Sequence, residues 1–191
     1  MNLFLILTGA IFVNNFVLSQ FLGMCPFFGV SKKIETAFGM GAAVTFVMTL
    51  SSTITFLFYN YVLVPLDITY LNVIVFILII ASIVQFLEMF MRKTFPVLYA
   101  LLGVYLPLIT TNCAILGVAL INIKNGFNLV EMLVNSVGAG VGFTLAIVLL
   151  AVIREKYDNN PDIHYVFKGL PLALFAAGLM SIAFMGFNGL I

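Results

Sequence analysis

Two cysteines occur in the 191-residue chain, and each stands in an apolar run beside residues that interrupt helices. Cys25 lies in FLGMCPFFGVSKK (residues 21–33) and Cys113 in LITTNCAILGV (residues 108–118). They are 88 positions apart, and each is followed at one spacing by the same pair, Gly29 and Val30 in the first run, Gly117 and Val118 in the second. Soft thiolates select zinc, copper(I) or iron–sulfur clusters. A structural zinc or a [2Fe–2S] cluster takes four ligands, so a metal reading of two cysteines requires two more from a partner. Two buried free thiols, or a disulfide between the runs, are the alternatives these residue types leave open.

The elements that carry the cysteines are membrane helices. Hydrophobic residues make up 63% of the chain and charged ones 8%, against about 25% charged in a soluble domain. A transmembrane helix needs about 20 apolar residues. Six such segments run roughly over 3–24, 38–60, 70–91, 96–122, 130–153 and 169–189, bounded by charges or by Gly, Pro and Asn. They make the chain a single all-α integral membrane domain, 1–191, with no remainder for a soluble domain. The first segment has no basic region before it and reads as a retained helix. The expected surroundings are the bilayer and other membrane subunits, and no nucleic acid.

The halves resemble one another. AFGMGAAVTF (37–46) aligns with SVGAGVGFTL (136–145), matching Gly39 to Gly138, Gly41 to Gly140 and Thr45 to Thr144, at an offset of 99 instead of 88. The second half carries the difference near NIKNGFNLV. Each unit, about 1–93 and 94–191, holds three helices, an odd number, so the second enters the membrane upside down. Two inverted three-helix repeats are the expected architecture.

Both cysteine segments are too long for straight helices. No charge occurs from Leu3 to Ser31 or from Thr94 to Ile123, and about 29 residues at 1.5 Å each is roughly 43 Å, beyond the roughly 30 Å hydrocarbon core. Asn14, Asn15, Gly23 and Pro26 break the first; Gly103, Pro107, Thr110, Thr111 and Asn112 break the fourth. Interrupted first and fourth helices, with their unwound backbone buried in protein, would bring Cys25 and Cys113 to one level. Each cysteine then opens a half-helix, whose N-terminus favours negative charge, and Pro26 suits a first turn.

At these residues the chain resembles a known family. LSQFLGMCPFFGVSKKIETAFGMG (18–41), VQFLEMFMRKTFPVLY (84–99), ALLGVYLPLITTNCAILGVAL (100–120) and FKGLPLALFAAGLMSIAFMGFNGL (167–190) are similar to A subunits of Rnf electron-transport complexes. The sister family is the E subunit of the sodium-pumping NADH:quinone reductase. The resemblance implies a subunit of an enzyme passing electrons between ferredoxin and NAD, coupled to Na+ or H+ translocation. It implies pairing with the homologous E subunit in the opposite orientation, alongside the B, C, D and G subunits. It also implies that Cys25 and Cys113 supply half the ligands of a shared intramembrane [2Fe–2S] cluster. A small inverted-repeat secondary transporter is the competing reading, because broken helices serve transporters too.

Other features read as structural. Gly138, Gly140 and Gly142 lie in an apolar helix with no strand before them, which suits close helix packing and not a dinucleotide site. Glu88 and Arg92 stand at ion-pair spacing, and His164 sits alone in a polar loop. Asp67 and Glu131 fall near the outer interface, so a cation crossing here would meet neutral oxygens, Asn14, Asn15, Ser19, Thr110, Thr111 and Asn112, although hydrogen-bonding to the unwound backbone explains the same residues and is the preferred reading.

Basic residues orient the chain. Lys32, Lys33, Arg92, Lys93, Arg154, Lys156 and Lys168 follow the odd-numbered helices, whereas Lys124 stands alone on the other side. Positive charge stays cytoplasmic, so a cytoplasmic membrane protein with both termini outside is expected. Reporter fusions at the C-terminus should be active on the extracytoplasmic side; cytoplasmic activity contradicts this topology.

Overall fold

A computed structural model describes residues 3–13, 15–94, 106–158 and 169–187, mostly helical, with no strand among them. Asn14, Gly103, His164 and Lys168 lie outside the described residues.

The first apolar segment is in three pieces. Helix α1 (Leu3–Thr8) runs into a π-helical stretch, Gly9–Val13, followed by α2 (Phe16–Gln20) and α3 (Met24–Val30). The second segment is longer than its hydropathy suggests: α4 (Ile34–Phe58) continues through a π-helical stretch, Tyr59–Leu63, into α5 (Val64–Leu66). It stops at Asp67, whose left-handed backbone (φ 56°) closes the last turn by donating its N–H to the Val64 carbonyl. Helix α6 (Asn72–Thr94) ends on Arg92 and Lys93, which suit the negative end of the helix dipole. The fourth segment is split into α7 (Leu106–Thr110) and α8 (Cys113–Lys124), and α9 (Leu129–Asp158) and α10 (Leu170–Met185) complete the chain.

Among the described residues, four helical spans are long and apolar enough to cross a bilayer: Ile34–Leu66, Thr69–Phe90, Pro107–Lys124 and Leu129–Tyr157. The first and sixth expected segments are represented by shorter apolar helices, Leu3–Val13 and Leu170–Met185. The chain is an integral membrane protein, and its outer surface carries large apolar side chains such as Phe4, Ile74, Phe86 and Ile182.

The core forms where α4 and α9 cross, the most extensive helix contact in the fold. Small residues set the closeness of that crossing. A Cβ on Gly41 would lie 2.5 Å from Thr144 Cγ2, and one on Gly140 would lie 2.6 Å from Thr45 Cγ2. Each threonine hydroxyl turns back on its own helix, Thr45 Oγ1 donating to Gly41 O at 2.7 Å and Thr144 Oγ1 to Gly140 O at 2.8 Å. The contact is therefore reciprocal, each glycine receiving the threonine of the other helix. Gly138 and Gly142 open the adjoining face of α9 to the first segment: a Cβ there would meet Ala10 Cβ at 3.1 Å and the Ile11 carbonyl at 3.2 Å, respectively. The three glycines act as packing positions, as read from the sequence.

Over-packing a close crossing costs typically about 1–3 kcal/mol. Gly41→Ala should lower thermal stability in detergent by that order. Thr144→Gly in the same chain should restore most of it, a non-additive pair; additive losses contradict the reciprocal contact.

Candidate functional site: cysteines at two helix breaks

The first break is built by residues 15–23. Asn15 is the N-cap of α2: its Oδ1 accepts from Val17 N at 3.2 Å, while its Nδ2 donates to Gly142 O at 3.0 Å. Buried asparagine thus satisfies backbone groups on two helices. Helix α2 ends at Phe21, in left-handed backbone (φ 56°) with its N–H on Phe16 O, and the Leu22 N–H reaches the same carbonyl at 3.0 Å. A left-handed non-glycine residue costs roughly 1–2 kcal/mol. Gly23 (φ 84°) then caps α3, placing Met24, Cys25 and Pro26 in its first turn. Proline costs no hydrogen bond there, because first-turn N–H groups have no partner within the helix.

The second break is shorter. Asn112 caps α8, its Oδ1 accepting from Ala114 N at 3.0 Å, so that Cys113 is the first helical residue. Asn112 is buried and its Nδ2 has no partner, a cost of about 1–3 kcal/mol for such a group. A cap is the reason it is tolerated, since α8 gains a satisfied N-terminus within the fold.

The two breaks meet. The Gly23 N–H donates to Cys113 Sγ at 2.9 Å. A Cβ on Gly117 would lie 2.6 Å from Leu22 Cδ1, so the first break seats its leucine against α8. Cys25 stands two residues beyond the Gly23 donor, in the first turn of α3, and Cys113 opens α8. Both thiols are free and exposed at the surface of the chain, unlike the buried or disulfide-bonded alternatives the sequence left open.

These features fit half of a four-thiolate site. The donors are soft, exposed, and one already accepts an N–H. Among the described residues no group of three or more His, Cys, Asp or Glu side chains is placed to hold a metal ion, so a complete set is absent there. An ion or cluster with four thiolate ligands at Cys25 and Cys113 needs a second chain.

Sequence reasoning missed Arg154. From α9 its Nη1 donates to Phe28 O at 2.9 Å and to Ser31 Oγ at 3.2 Å, tying the end of the Cys25 half-helix to the α4–α9 core. Its position marked only a cytoplasmic loop; a reach of 126 residues leaves no local signal. Also unforeseen is a buried chain in which Asn135 Nδ2 donates to Asn122 Oδ1 at 2.7 Å and Asn122 Nδ2 to Ser136 Oγ at 3.0 Å.

Of the neutral side chains at the breaks, Asn15, Ser19, Thr111 and Asn112 hydrogen-bond the backbone. Ser19 Oγ donates to Asn15 O at 2.9 Å and Thr111 Oγ1 to Pro107 O at 3.0 Å. A cavity of about 590 Å³ beside α1 is lined by Gln20, Lys124, Asn125 and Asn135 among apolar residues.

A family model described as "Rnf-Nqr subunit, membrane protein" matches residues 3–191. The chain belongs to the Rnf-Nqr family. It is 60% identical over 190 residues to the A subunit of the Na+-translocating ferredoxin:NAD+ oxidoreductase complex of Acetobacterium woodii, covering 100% of this chain and 98% of that one. It is 58% identical over 191 residues to the A subunit of the ion-translocating oxidoreductase complex of Azotobacter vinelandii, with 100% and 98% covered. Against the protein of that name from Pseudoalteromonas translucida it is 57% identical over 187 residues, covering 98% and 96%. The likeness runs the length of this Rnf-Nqr family member, both cysteine segments included.

In this Rnf-Nqr chain Arg154 holds a carbonyl and a hydroxyl near the end of α3. Hydrogen bonds to charged groups contribute about 1.5–3 kcal/mol, reduced here because Arg154 is only partly buried. Arg154→Met should lower detergent thermal stability by about 1–2 kcal/mol on that basis and increase hydrogen exchange of the α3 amides. Unchanged exchange in α3 contradicts the tether.

Proposed function

We propose that this chain is the A-type membrane component of an ion-translocating ferredoxin:NAD oxidoreductase, and that Cys25 and Cys113 are its contribution to an intramembrane [2Fe–2S] cluster. The homologous E subunit, inserted with opposite topology, supplies the other two thiolates. The full-length likeness to proteins bearing that complex's name supports the enzyme; the observation that carries the site is the Gly23 N–H on Cys113 Sγ, with both sulfurs exposed.

The inverted repeat belongs to this reading. The internal alignment equates Gly41 with Gly140 and Thr45 with Thr144, so the Gly41–Thr144 and Gly140–Thr45 contacts are counterparts of one another, as a two-fold axis would make them. An axis in the membrane plane would relate the two cysteine breaks as well. The chain then spans the cytoplasmic membrane six times, with both termini outside, and docks against the remaining B, C, D and G subunits.

A cluster held there supplies one-electron storage inside the bilayer. This chain's part is to present two thiolates from half-helix starts, keep the broken backbone hydrogen-bonded, and exclude water with the apolar helices around it. NAD and flavin chemistry falls to other subunits, and translocation of Na+ or H+ is a property of the whole complex.

The chain alone should hold little iron. Purified with its E-type partner it should hold about two irons and two acid-labile sulfides per heterodimer, the content of one such cluster. Cys25→Ala and Cys113→Ala should each remove the iron and stop electron flow. Full iron content and wild-type turnover in both variants contradict the assignment.

A further inference from the structure

The N–H of Gly23 has no partner in its own half of the chain. It caps α3, and at the third helical position, where a capping box returns a side-chain acceptor to the cap N–H, stands Pro26, which has none to offer. The N–H points instead across to the second half, where it meets Cys113 Sγ at 2.9 Å.

The surroundings hold it there. Gly23 adopts φ 84°, a conformation that side-chain-bearing residues rarely take, and a Cβ would lie 3.1 Å from Ala114 Cβ, 3.2 Å from Phe143 Cε2 and 3.3 Å from Asn112 Oδ1. The second residue of the Cys113 helix, the cap of that helix and the α9 core therefore press on one backbone unit. Leu22, next to it, is seated against Gly117 of that same helix. The turn at Phe21–Gly23 is registered against α8 on both sides of the sulfur.

We infer that Gly23 is a positioning residue that tunes the electron-accepting group at Cys113: its backbone N–H raises the reduction potential of the cluster by hydrogen-bonding a ligand sulfur. The inference rests on the proposed cluster reading. Reduction adds one electron, hence negative charge shared by the ligand sulfurs, and a donor aimed at sulfur stabilises that charge more than the oxidised state. Hydrogen bonds to cluster sulfurs are among the determinants of potential. One half of the chain thus sets the potential at a ligand supplied by the other, and any movement between the breaks would change it.

The experiment uses the complex or the heterodimer with the E-type partner. In wild-type protein labelled with [15N]glycine, pulsed EPR of the reduced cluster should detect a weakly coupled glycine nitrogen. Gly23→Ala should keep full iron and sulfide, lose that coupling and lower the midpoint potential, because the new Cβ pushes the N–H off the sulfur. Ala114→Gly in the same chain removes the nearest obstruction and should move the potential back toward wild type, whereas Ala114→Gly alone should leave it unchanged. A purely structural glycine predicts lost iron or stability with no shift in potential. A full cluster with no glycine coupling in the wild type overturns the inference while leaving the cluster reading intact. A wild-type heterodimer devoid of iron overturns both.

Discussion

Backbone that leaves the helix inside a bilayer has to find hydrogen-bond partners within the protein, since hydrocarbon offers none. This constraint organises the molecule. Two segments are broken, and each break frees N–H and C=O groups that a straight helix would have consumed. Asn15 and Asn112 absorb part of the deficit as caps, and Ser181 on α10 donates to the freed Leu18 carbonyl at 2.6 Å. The last donor of the first break, the Gly23 N–H, is absorbed by a sulfur of the second. The cysteine site is thus also a solution to a backbone problem.

The closeness this requires comes from small residues elsewhere. Breaks can share a neighbourhood only if the helices behind them approach closely, and Gly41, Gly140 and their threonine partners allow that for α4 and α9. Gly142 lets the first segment lie near enough to α9 for Asn15 to reach its carbonyl. Arg154 fixes the far end of α3 to the same helix. Local helix propensity contributes little to such an arrangement; packing of glycine faces and a few long-range polar contacts decide it.

Much of this was legible in the sequence because the signals are chemical and periodic. Charge-free runs longer than a bilayer, interrupted by Asn, Gly and Pro, announced broken helices, and the Cys, Gly and Thr register singled out the residues that the fold brings to the α4–α9 crossing and to the two breaks. The limits are physical too. Whether Asn14 or Asn15 caps α2, and that the non-glycine Phe21 takes left-handed backbone, depend on tertiary contacts that override local preference. The expected 38–60 segment extends to 34–66 because π-helical turns carry it past Asn60 without a stop. Arg154 and the Asn122–Asn135 pair have no local pattern, since their partners lie on other elements; the backbone role of Ser19 and Thr111 follows the habit of serine and threonine hydroxyls in helices of returning to the carbonyl four residues back.

The central claim is that exposed thiols from two breaks make half of a cluster completed by a second chain. Mössbauer spectroscopy of 57Fe-labelled protein tests it most directly. The heterodimer with the E-type partner should show the paired high-spin ferric sites of one oxidised [2Fe–2S] cluster in tetrahedral sulfur, and the isolated chain should show no such signal. The same cluster spectrum from the chain alone, or its persistence in the heterodimer after loss of Cys25 and Cys113, would contradict the account.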